Sequence, residues 1–158
     1  MPSVTAQPTA TIEVKSLYRW PTYVFGQLHR EFHQRIDSSL REHWILTVLA
    51  ENEAQSLSQQ DVCNALEVDR SEMVRLIDRL EADGLVERIR SAKDRRRYAL
   101  KITDAGRAQL EETLRECAEV NAQTFARLTH DELQTLHRLA LKAVGVSESY
   151  ADMPADDR

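Results

Sequence analysis

The sequence predicts a mainly α-helical fold that carries one small β-hairpin. Glycine and proline each occur only 4 times in 158 residues, roughly half of their average use or less, so few positions suit the tight turns of a β-sandwich or β-barrel. Apolar residues recur at helical spacing along most of the chain and alternate with period two only near residues 85–103. With 42% hydrophobic and 30% charged residues, the chain has the composition of one folded domain.

The first part of the chain is predicted to form two helices. Pro21 suits the first position of a helix, where a missing N–H costs nothing, and apolar residues then recur every four positions up to Ile36. This pattern indicates an amphipathic helix over about 21–38. A second helix is predicted over 41–53, with Trp44, Ile45, Val48 and Leu49 on its apolar side.

Two shorter helices follow, and each begins with a capping pattern. Ser58 and Asp61 have the spacing in which the first side chain caps a helix and the second bonds back to the first residue's N–H. The pair Asp69 and Glu72 repeats this spacing. Gly84 suits the position after a helix end, because glycine adopts left-handed angles without strain. The predicted helices span 58–68 and 70–84.

The remaining part contains the hairpin and two more helices. Apolar and polar residues alternate in two short segments that are joined by a polar tip, as expected for a hairpin. Thr103 can cap the helix that follows, and Thr129 with Glu132 forms another capping pattern. The predicted elements are strands at 85–91 and 97–103 and helices at 104–128 and 130–145.

The predicted helix 70–84 has one apolar and one polar side. The apolar side consists of Met73, Leu76, Ile77 and Leu80. On the other side, arginine can donate two hydrogen bonds to guanine, serine can bond several base edges, and a valine methyl can contact the thymine methyl. A short helix and a tight turn precede it, as in a helix-turn-helix that reads the major groove. The predicted DNA-binding residues are Arg70, Ser71, Val74, Arg75 and Arg79.

The hairpin concentrates positive charge. Residues 88–97 contain six basic residues and one acidic residue, a net charge of +5, although the whole chain carries −5. Contacts with DNA phosphates explain such a concentration, whereas a solvated charged loop is the alternative interpretation. The predicted DNA-binding residues of the tip are Lys93, Asp94, Arg95 and Arg96, with Asp94 expected to orient Arg96 through a charge-assisted hydrogen bond.

Residues 57–106 resemble the DNA-binding core of the MarR family, the multiple antibiotic resistance regulators. The wing signature of that family is Asp-x-Arg, five residues, then Leu-Thr, and this chain has Asp94-Arg95-Arg96 followed by Ile102-Thr103. A second family pattern, from the end of the recognition helix into the first strand, is similar to Ile77-Asp78-Arg79-Leu80, Gly84-Leu85-Val86 and Arg88. The order of elements extends the resemblance to about residues 20–145.

The resemblance implies a winged helix-turn-helix regulator, a homodimer that binds a pseudo-palindromic site on double-stranded DNA, often as a repressor. It implies a helical dimerisation region over 12–40 and 104–146 and a DNA-binding region over 41–103. The composition of residues 1–11 predicts a disordered tail, and that of residues 147–158 predicts an acidic tail. Many members are released by a small aromatic or anionic ligand that binds between the dimer helices and the DNA-binding lobe.

Two adjacent residues of the second predicted helix are candidates for ligand binding. His43 and Trp44 can stack on an aromatic ligand, although Trp44 can equally belong to the core. His29 and His33 have a spacing that can hold a metal, but the sequence indicates no third ligand, and an ordinary polar helix face is favoured. We therefore predict no metal site and no cofactor.

Three further residues bear on the DNA-binding core and on redox chemistry. Cys63 and Cys117 lie too far apart in sequence for a Cys-x-x-Cys pair, and a packing role is favoured over a redox role. Glu67 stands where the family usually has glycine, in the turn between the two helices of the helix-turn-helix. This position is strained if its φ is positive.

Other function classes remain as alternatives. A winged-helix module that binds an acidic protein surface instead of DNA would use the same exposed arginines. The chain has no glycine-rich phosphate loop, nucleophile motif or zinc signature, so the sequence does not indicate an enzyme. It shows no signal peptide and no apolar run of about 18 residues, and we expect a cytoplasmic protein without membrane contact.

Overall fold

The computed structural model of the chain describes residues 15–36, 39–90 and 98–152. Within these ranges it confirms a mainly helical fold with one antiparallel hairpin. The second of two 3-10 helices lies in the predicted acidic tail, whereas the predicted tail 1–11 lies outside the described residues. The elements are a 3-10 helix at Lys15–Arg19, α1 (Pro21–Arg35), α2 (Leu40–Glu51), α3 (Gln59–Leu66), α4 (Arg70–Ala82), β1 (Val86–Arg90), β2 (Tyr98–Ile102), α5 (Asp104–Thr124), α6 (His130–Ala143) and a 3-10 helix at Glu148–Asp152.

All six α-helices of the described ranges end before their predicted ends, and the difference is largest for α1 and α5. α1 ends at Arg35, and Ile36 follows with extended backbone angles (φ −94°, ψ 126°). Ile36 is nevertheless buried, so its apolar character reflects packing after the helix end. α5 ends at Thr124, before the predicted end at residue 128. None of the helices in the described ranges is long and apolar enough to cross a membrane.

Side-chain caps begin α3, α4 and α6. The predicted capping boxes of Ser58 with Asp61 and of Thr129 with Glu132 are present. At α4 only half of the prediction holds, because the Asp69 carboxylate accepts hydrogen bonds from the N–H groups of Ser71 and Glu72. The expectation that Glu72 bonds back to Asp69 is wrong, since the Glu72 carboxylate accepts a hydrogen bond from Arg41 on α2 instead.

The turn between α3 and α4 contains the strained residue that the sequence indicated. Glu67 has φ 51° and ψ 34°, in the left-handed region, where a side chain costs about 1–2 kcal/mol relative to glycine. The carbonyl of Cys63 accepts hydrogen bonds from the N–H groups of Glu67 and Val68. The Cys63 thiol lies 2.8 Å from the Val68 carbonyl oxygen. Buried Cys63 therefore helps to close the turn.

Hydrogen bonds connect the hairpin to the segment before α3, and a side-chain cap at its end begins α5. β1 and β2 pair in antiparallel register from Val86 opposite Ile102 to Arg90 opposite Tyr98. The N–H of Leu100 donates to the carbonyl of Leu57 before α3, at 2.8 Å. Thr103 caps α5, as predicted, by accepting a hydrogen bond from the Gly106 N–H.

One apolar core holds these elements together. Its buried members come from α2, α3, α4, the hairpin and the start of α5, and all lie between residues 45 and 110. Of the described residues, none in α1 or α6 is buried. Trp44 is 42% exposed, so the alternative that placed Trp44 in the core is wrong for this chain. The fully buried side chains include Ile45, Val62, Met73, Ile77, Leu80 and Ile102.

Candidate nucleic-acid interface

α4 presents its polar side to solvent because its apolar side forms part of the core. Met73 and Ile77 are completely buried, and Leu76 and Leu80 nearly so. The four residues opposite them are exposed, including Val74, an apolar side chain with 40% exposure. Burial of four side chains on one face fixes the rotation of α4 about its axis. The exposed row consists of Arg70, Ser71, Val74 and Arg75.

The first turn of α4 fixes the direction of one polar group in this row. The Ser71 hydroxyl donates to the Asp69 carboxylate, which also accepts the Ser71 backbone N–H at 2.8 Å. These two bonds, with a smaller effect of the Arg75 charge, lower the pKa of Asp69 below its ordinary value. Because its proton is engaged, the Ser71 hydroxyl is left with acceptor capacity towards solvent.

Two arginines near the far end of α4, one on this helix and one on β1, have carboxylate partners. Arg79 is exposed, and its guanidinium lies 3.0 Å from the Glu42 carboxylate of α2. Arg88 of β1 donates to Asp78 at 2.6 Å and also to Glu81, both on α4. Although partial burial opposes its charge, these carboxylates raise the pKa of Arg88.

The count of hairpin charges included Arg88 in the positively charged surface of the hairpin, but the structure gives Arg88 a different role. Its charge is balanced by two acids, and it joins the base of the hairpin to α4. The signal that could have found it is the spacing of Asp78 and Glu81, three residues apart on the helix face that precedes the strand.

Ion pairs also join α2 to α4. Arg41 pairs with Glu72 in the first turn of α4, and Glu42 pairs with Arg79 near its end. In the first pair α2 contributes the positive side chain, and in the second pair it contributes the negative one. At the other end of α2, Glu53 just beyond the helix pairs with Arg107 of α5. α2 thus contacts both α4 and the long helix α5.

The predicted tip of the hairpin lies outside the described residues. This applies to Lys93, Asp94, Arg95 and Arg96, and with them to the expected bond between Asp94 and Arg96. The strand ends on either side of the tip are described, and Arg90 there is exposed. A role of the tip in phosphate binding stays a prediction.

The two candidate ligand-binding residues line different cavities. Trp44 lies in a cavity of 590 Å³ between α1 and α2, together with His29, Arg30, His33 and Arg41. His43 lines a smaller cavity of 250 Å³ between α2, the end of α4 and α5. The two residues are consecutive on a helix, so their side chains point about 100° apart and do not form one site.

His29 and His33 contact each other on α1, and Cys117 of α5 is partly buried. The rings of His29 and His33 lie edge to face with centroids 4.2 Å apart. Among the described residues, no group of three His, Cys, Asp or Glu side chains could hold a metal ion. Burial, with a smaller effect of the Glu116 charge, raises the pKa of the Cys117 thiol and so disfavours the reactive thiolate.

These elements define a class of protein. α3, the turn, α4 and the hairpin form a winged helix-turn-helix, a DNA-binding unit of transcription regulators. The chain belongs to the MarR family, whose sequence profile matches residues 37–97. The proteins of this family are regulators of transcription and not enzymes.

The relatives of the chain agree with this assignment. It is 37% identical over 58% of its length to 54% of a putative transcriptional regulatory protein for the hcr operon of Thauera aromatica. It is 31% identical over 75% of its length to 84% of YpoP, an uncharacterized HTH-type transcriptional regulator of Bacillus subtilis. With two other curated relatives the match spans only 64% and 61% of their length.

A solved structure shows the same fold. The PcaV transcriptional regulator from Streptomyces coelicolor, in complex with its natural ligand, superposes with a TM-score of 0.67 at 22% identity. The match covers 87% of this chain and 98% of PcaV, so it includes the terminal helices as well as the winged core.

Proposed function

We propose that the chain is a homodimeric repressor that binds a pseudo-palindromic DNA site and is released by a small aromatic anion. The observation that carries the DNA-binding part is the exposed row on α4, whose orientation follows from the burial of the opposite face. A regulator of this type represses by occupancy, because a dimer bound across two half-sites excludes other proteins from that DNA.

The side chains of the row have distinct roles in this proposal. Arg70 and Arg75 donate to guanine O6 and N7, and the Val74 methyls contact a thymine methyl. Ser71, whose proton is engaged by Asp69, accepts from an amino group of adenine or cytosine. Arg79 and the tip residues Lys93, Arg95 and Arg96 contact phosphates, with Asp94 orienting Arg96.

The exposed apolar surface of the terminal helices supports the homodimer. Trp20 is 65% exposed, Leu139 is 59% exposed and Val144 is 74% exposed. A groove of 610 Å³ between α1 and the end of α5 with the segment that follows it is lined by further apolar residues, among them Val24, Phe25, Leu28, Leu128 and Leu136. An apolar surface of this extent is typical of a protein–protein interface. A second copy of the chain offers the same surface and can cover it by two-fold symmetry.

The lining of the cavity between α1 and α2 supports the proposal that the effector is an aromatic anion. Arg30 and Arg41 supply guanidinium groups for a carboxylate, and the ring of Trp44 supplies an apolar face. His29 and His33 add further hydrogen-bond donors. Trp44 remains our candidate for stacking, whereas His43 is a candidate only for a ligand in the smaller cavity.

Arg75→Ala tests the DNA-binding row. We expect this substitution to weaken binding to the preferred DNA site by about 1–3 kcal/mol and to relax the base preference at one position. Site selection from random duplexes, followed by fluorescence anisotropy, measures both effects. Arg115→Ala on α5 is the matched control, because Arg115 is also exposed and pairs with Glu112 on its own helix.

An unchanged affinity and base preference in Arg75→Ala would contradict the proposed row. The salt dependence of binding to random duplexes separates DNA from the alternative of an acidic protein partner. A steep loss of affinity with salt supports DNA, whereas a flat response supports the protein-binding module.

A further inference from the structure

Asp78 is an acidic residue on the exposed side of α4, next to the proposed DNA-binding row. Successive residues of a helix are rotated by about 100°, so Asp78 points in a direction between those of Val74 and Arg75. Its side chain is 57% exposed. Ala82, one turn further on the same face, is exposed as well, and its small side chain leaves this surface open. The Asp78 carboxylate therefore belongs to the same surface as the row.

A carboxylate on this surface has a cost, because the phosphates of DNA repel it. Arg88 of β1 offsets part of that cost and fixes the carboxylate, since its guanidinium donates to Asp78 Oδ1 at 2.6 Å. Arg88 also donates to Glu81, so Asp78 is not needed to join the hairpin to α4. Attachment of the hairpin therefore does not explain why a second acid lies on the side of α4 that carries the row.

The chemistry of the major groove indicates what this carboxylate can bind. A carboxylate only accepts hydrogen bonds, and guanine and thymine present acceptors at O6, N7 and O4, so these bases repel it. Adenine presents an amino group beside the acceptor N7, whereas cytosine presents only its N4 amino group. The bond from Arg88 engages one oxygen of Asp78, and the carboxylate retains further acceptor capacity. Cytosine is the base that fits.

The length of the Asp78 side chain is suited to this contact. Ser71 and Val74 also have short side chains, and both contact bases in the proposed function. The axis of α4 therefore lies close to the base edges in that arrangement, and an aspartate on the same face extends far enough to reach them.

We infer that Asp78, oriented by Arg88, accepts a hydrogen bond from the N4 amino group of a cytosine and thereby selects that base. This inference rests on the proposed function, in which the exposed side of α4 lies in the major groove. Asp78 is then a specificity-determining residue, and Arg88 is a positioning residue.

The position of the selected cytosine follows from the geometry of the helix. Asp78 lies about 4.5 Å further along the axis of α4 than Arg75. Neighbouring base pairs are about 3.4 Å apart, so this distance is close to one base-pair step. We therefore expect the cytosine in the base pair adjacent to the one that Arg75 contacts, once in each half-site.

The test is site selection from random duplexes with the unmodified chain, the variant Asp78→Ala and the matched control Glu81→Ala. In the unmodified chain we expect one position at which cytosine is preferred by about tenfold, as for a hydrogen bond to a charged group. Asp78→Ala should lose this preference and keep the preferences at the other positions. Glu81→Ala removes an equal charge from the same arginine, and we expect it to keep the cytosine.

Removal of the amino group from the base tests the same contact by affinity. A 2-pyrimidinone in place of the selected cytosine should weaken binding of the unmodified chain about tenfold in fluorescence anisotropy, and it should have little effect on Asp78→Ala. Its weaker pairing with guanine cancels, because both proteins are measured on the same two duplexes. Arg88→Gln should reduce the cytosine preference at this position only, and Arg88→Lys should partly restore it. Melting curves report whether any variant alters folding.

The outcomes separate this inference from the proposed function. A selected site without such a cytosine, or a cytosine preference that survives in Asp78→Ala, overturns the inference and leaves the proposed function intact. Loss of the preference in Glu81→Ala as well also overturns it, because the attachment of the hairpin would then decide the base. Failure of the unmodified chain to select any sequence contradicts the proposed function itself and the inference with it.

Discussion

The winged core and the terminal helices differ in how they are stabilised. The core, from α2 to the start of α5, contains every member of the buried apolar cluster. α1 and α6 are of similar length to α2 and α4, yet none of their residues is buried in the single chain. α6 is nevertheless strongly amphipathic, with leucines at positions 133, 136 and 139 of the chain.

This difference separates two origins of helix stability. α4 is held by burial of its own apolar face, which contributes most of the stability of a helix in a protein. An isolated helix of 14 residues such as α6 is marginal in water. We therefore propose that the terminal helices are stabilised by a second copy of the chain.

Removing an apolar side chain from each region is the strongest test of this comparison. Leu80→Ala should lower the free energy of unfolding by about 2–5 kcal/mol, because Leu80 is nearly completely buried. Leu139→Ala should change the unfolding of the single protomer by less than about 0.5 kcal/mol and should instead weaken dimerisation. Urea denaturation at low protein concentration and sedimentation equilibrium measure the two effects. Equal losses of stability in the two variants would contradict the separation of the regions.

Adding a methyl group to one glycine in each region should give effects of opposite sign. A Cβ on Gly106 would overlap the Leu85 carbonyl oxygen and lie 2.8 Å from the Ile102 side chain, so Gly106→Ala should cost about 1–3 kcal/mol. A Cβ on Gly26, within α1, meets nothing within 4 Å. Gly26→Ala should therefore stabilise the protein by about 0.5–1 kcal/mol, as expected for a helix interior.

Thermal unfolding measures both glycine variants. A loss of stability in Gly26→Ala at high protein concentration, but not at low concentration, would locate a partner chain against this part of α1. A neutral Gly106→Ala would mean that α5 can move away from Leu85 without cost.

The strained turn offers a smaller gain within the winged core. Glu67→Gly should raise the free energy of unfolding by about 1 kcal/mol, because glycine adopts the left-handed angles of this position without steric cost. Glu87→Gly in β1 is the control, and it should lose about 0.5–1 kcal/mol. Chemical denaturation compares the two variants, and a destabilised Glu67→Gly would show that the glutamate side chain has a compensating contact.

Acid should produce the smallest effect, in both regions alike. Hydrogen bonds from Ser71 and from Thr129 lower the pKa values of Asp69 and Glu132, respectively. A lowered pKa in the folded state means that the stabilisation is present above the ordinary pKa, near 4, and is lost as the pH falls further. Melting temperatures between about pH 5 and pH 3 should fall less steeply in Asp69→Asn and Glu132→Gln than in the unmodified chain. Unchanged slopes would argue against a role of these caps in stability.

The sequence alone was sufficient to predict the features that depend on residues close together in the chain. The period of apolar residues in α4 predicted which side is buried, because residues three and four apart share one helix face. The caps at Ser58, Thr103 and Thr129 were predictable for the same reason, since each bonds within three residues. The left-handed angles of Glu67 fit the resemblance, which places this glutamate where the family usually has glycine.

Partners that come from distant parts of the chain were not predictable in this way. Glu72 bonds Arg41 rather than its own cap, and Arg88 is balanced by two acids of α4. His43 and Trp44 are neighbours in sequence but line separate cavities. Local patterns specify the elements and their buried faces, whereas charged side chains on exposed faces pair according to how the packed elements are oriented, and that orientation arises only when the core forms.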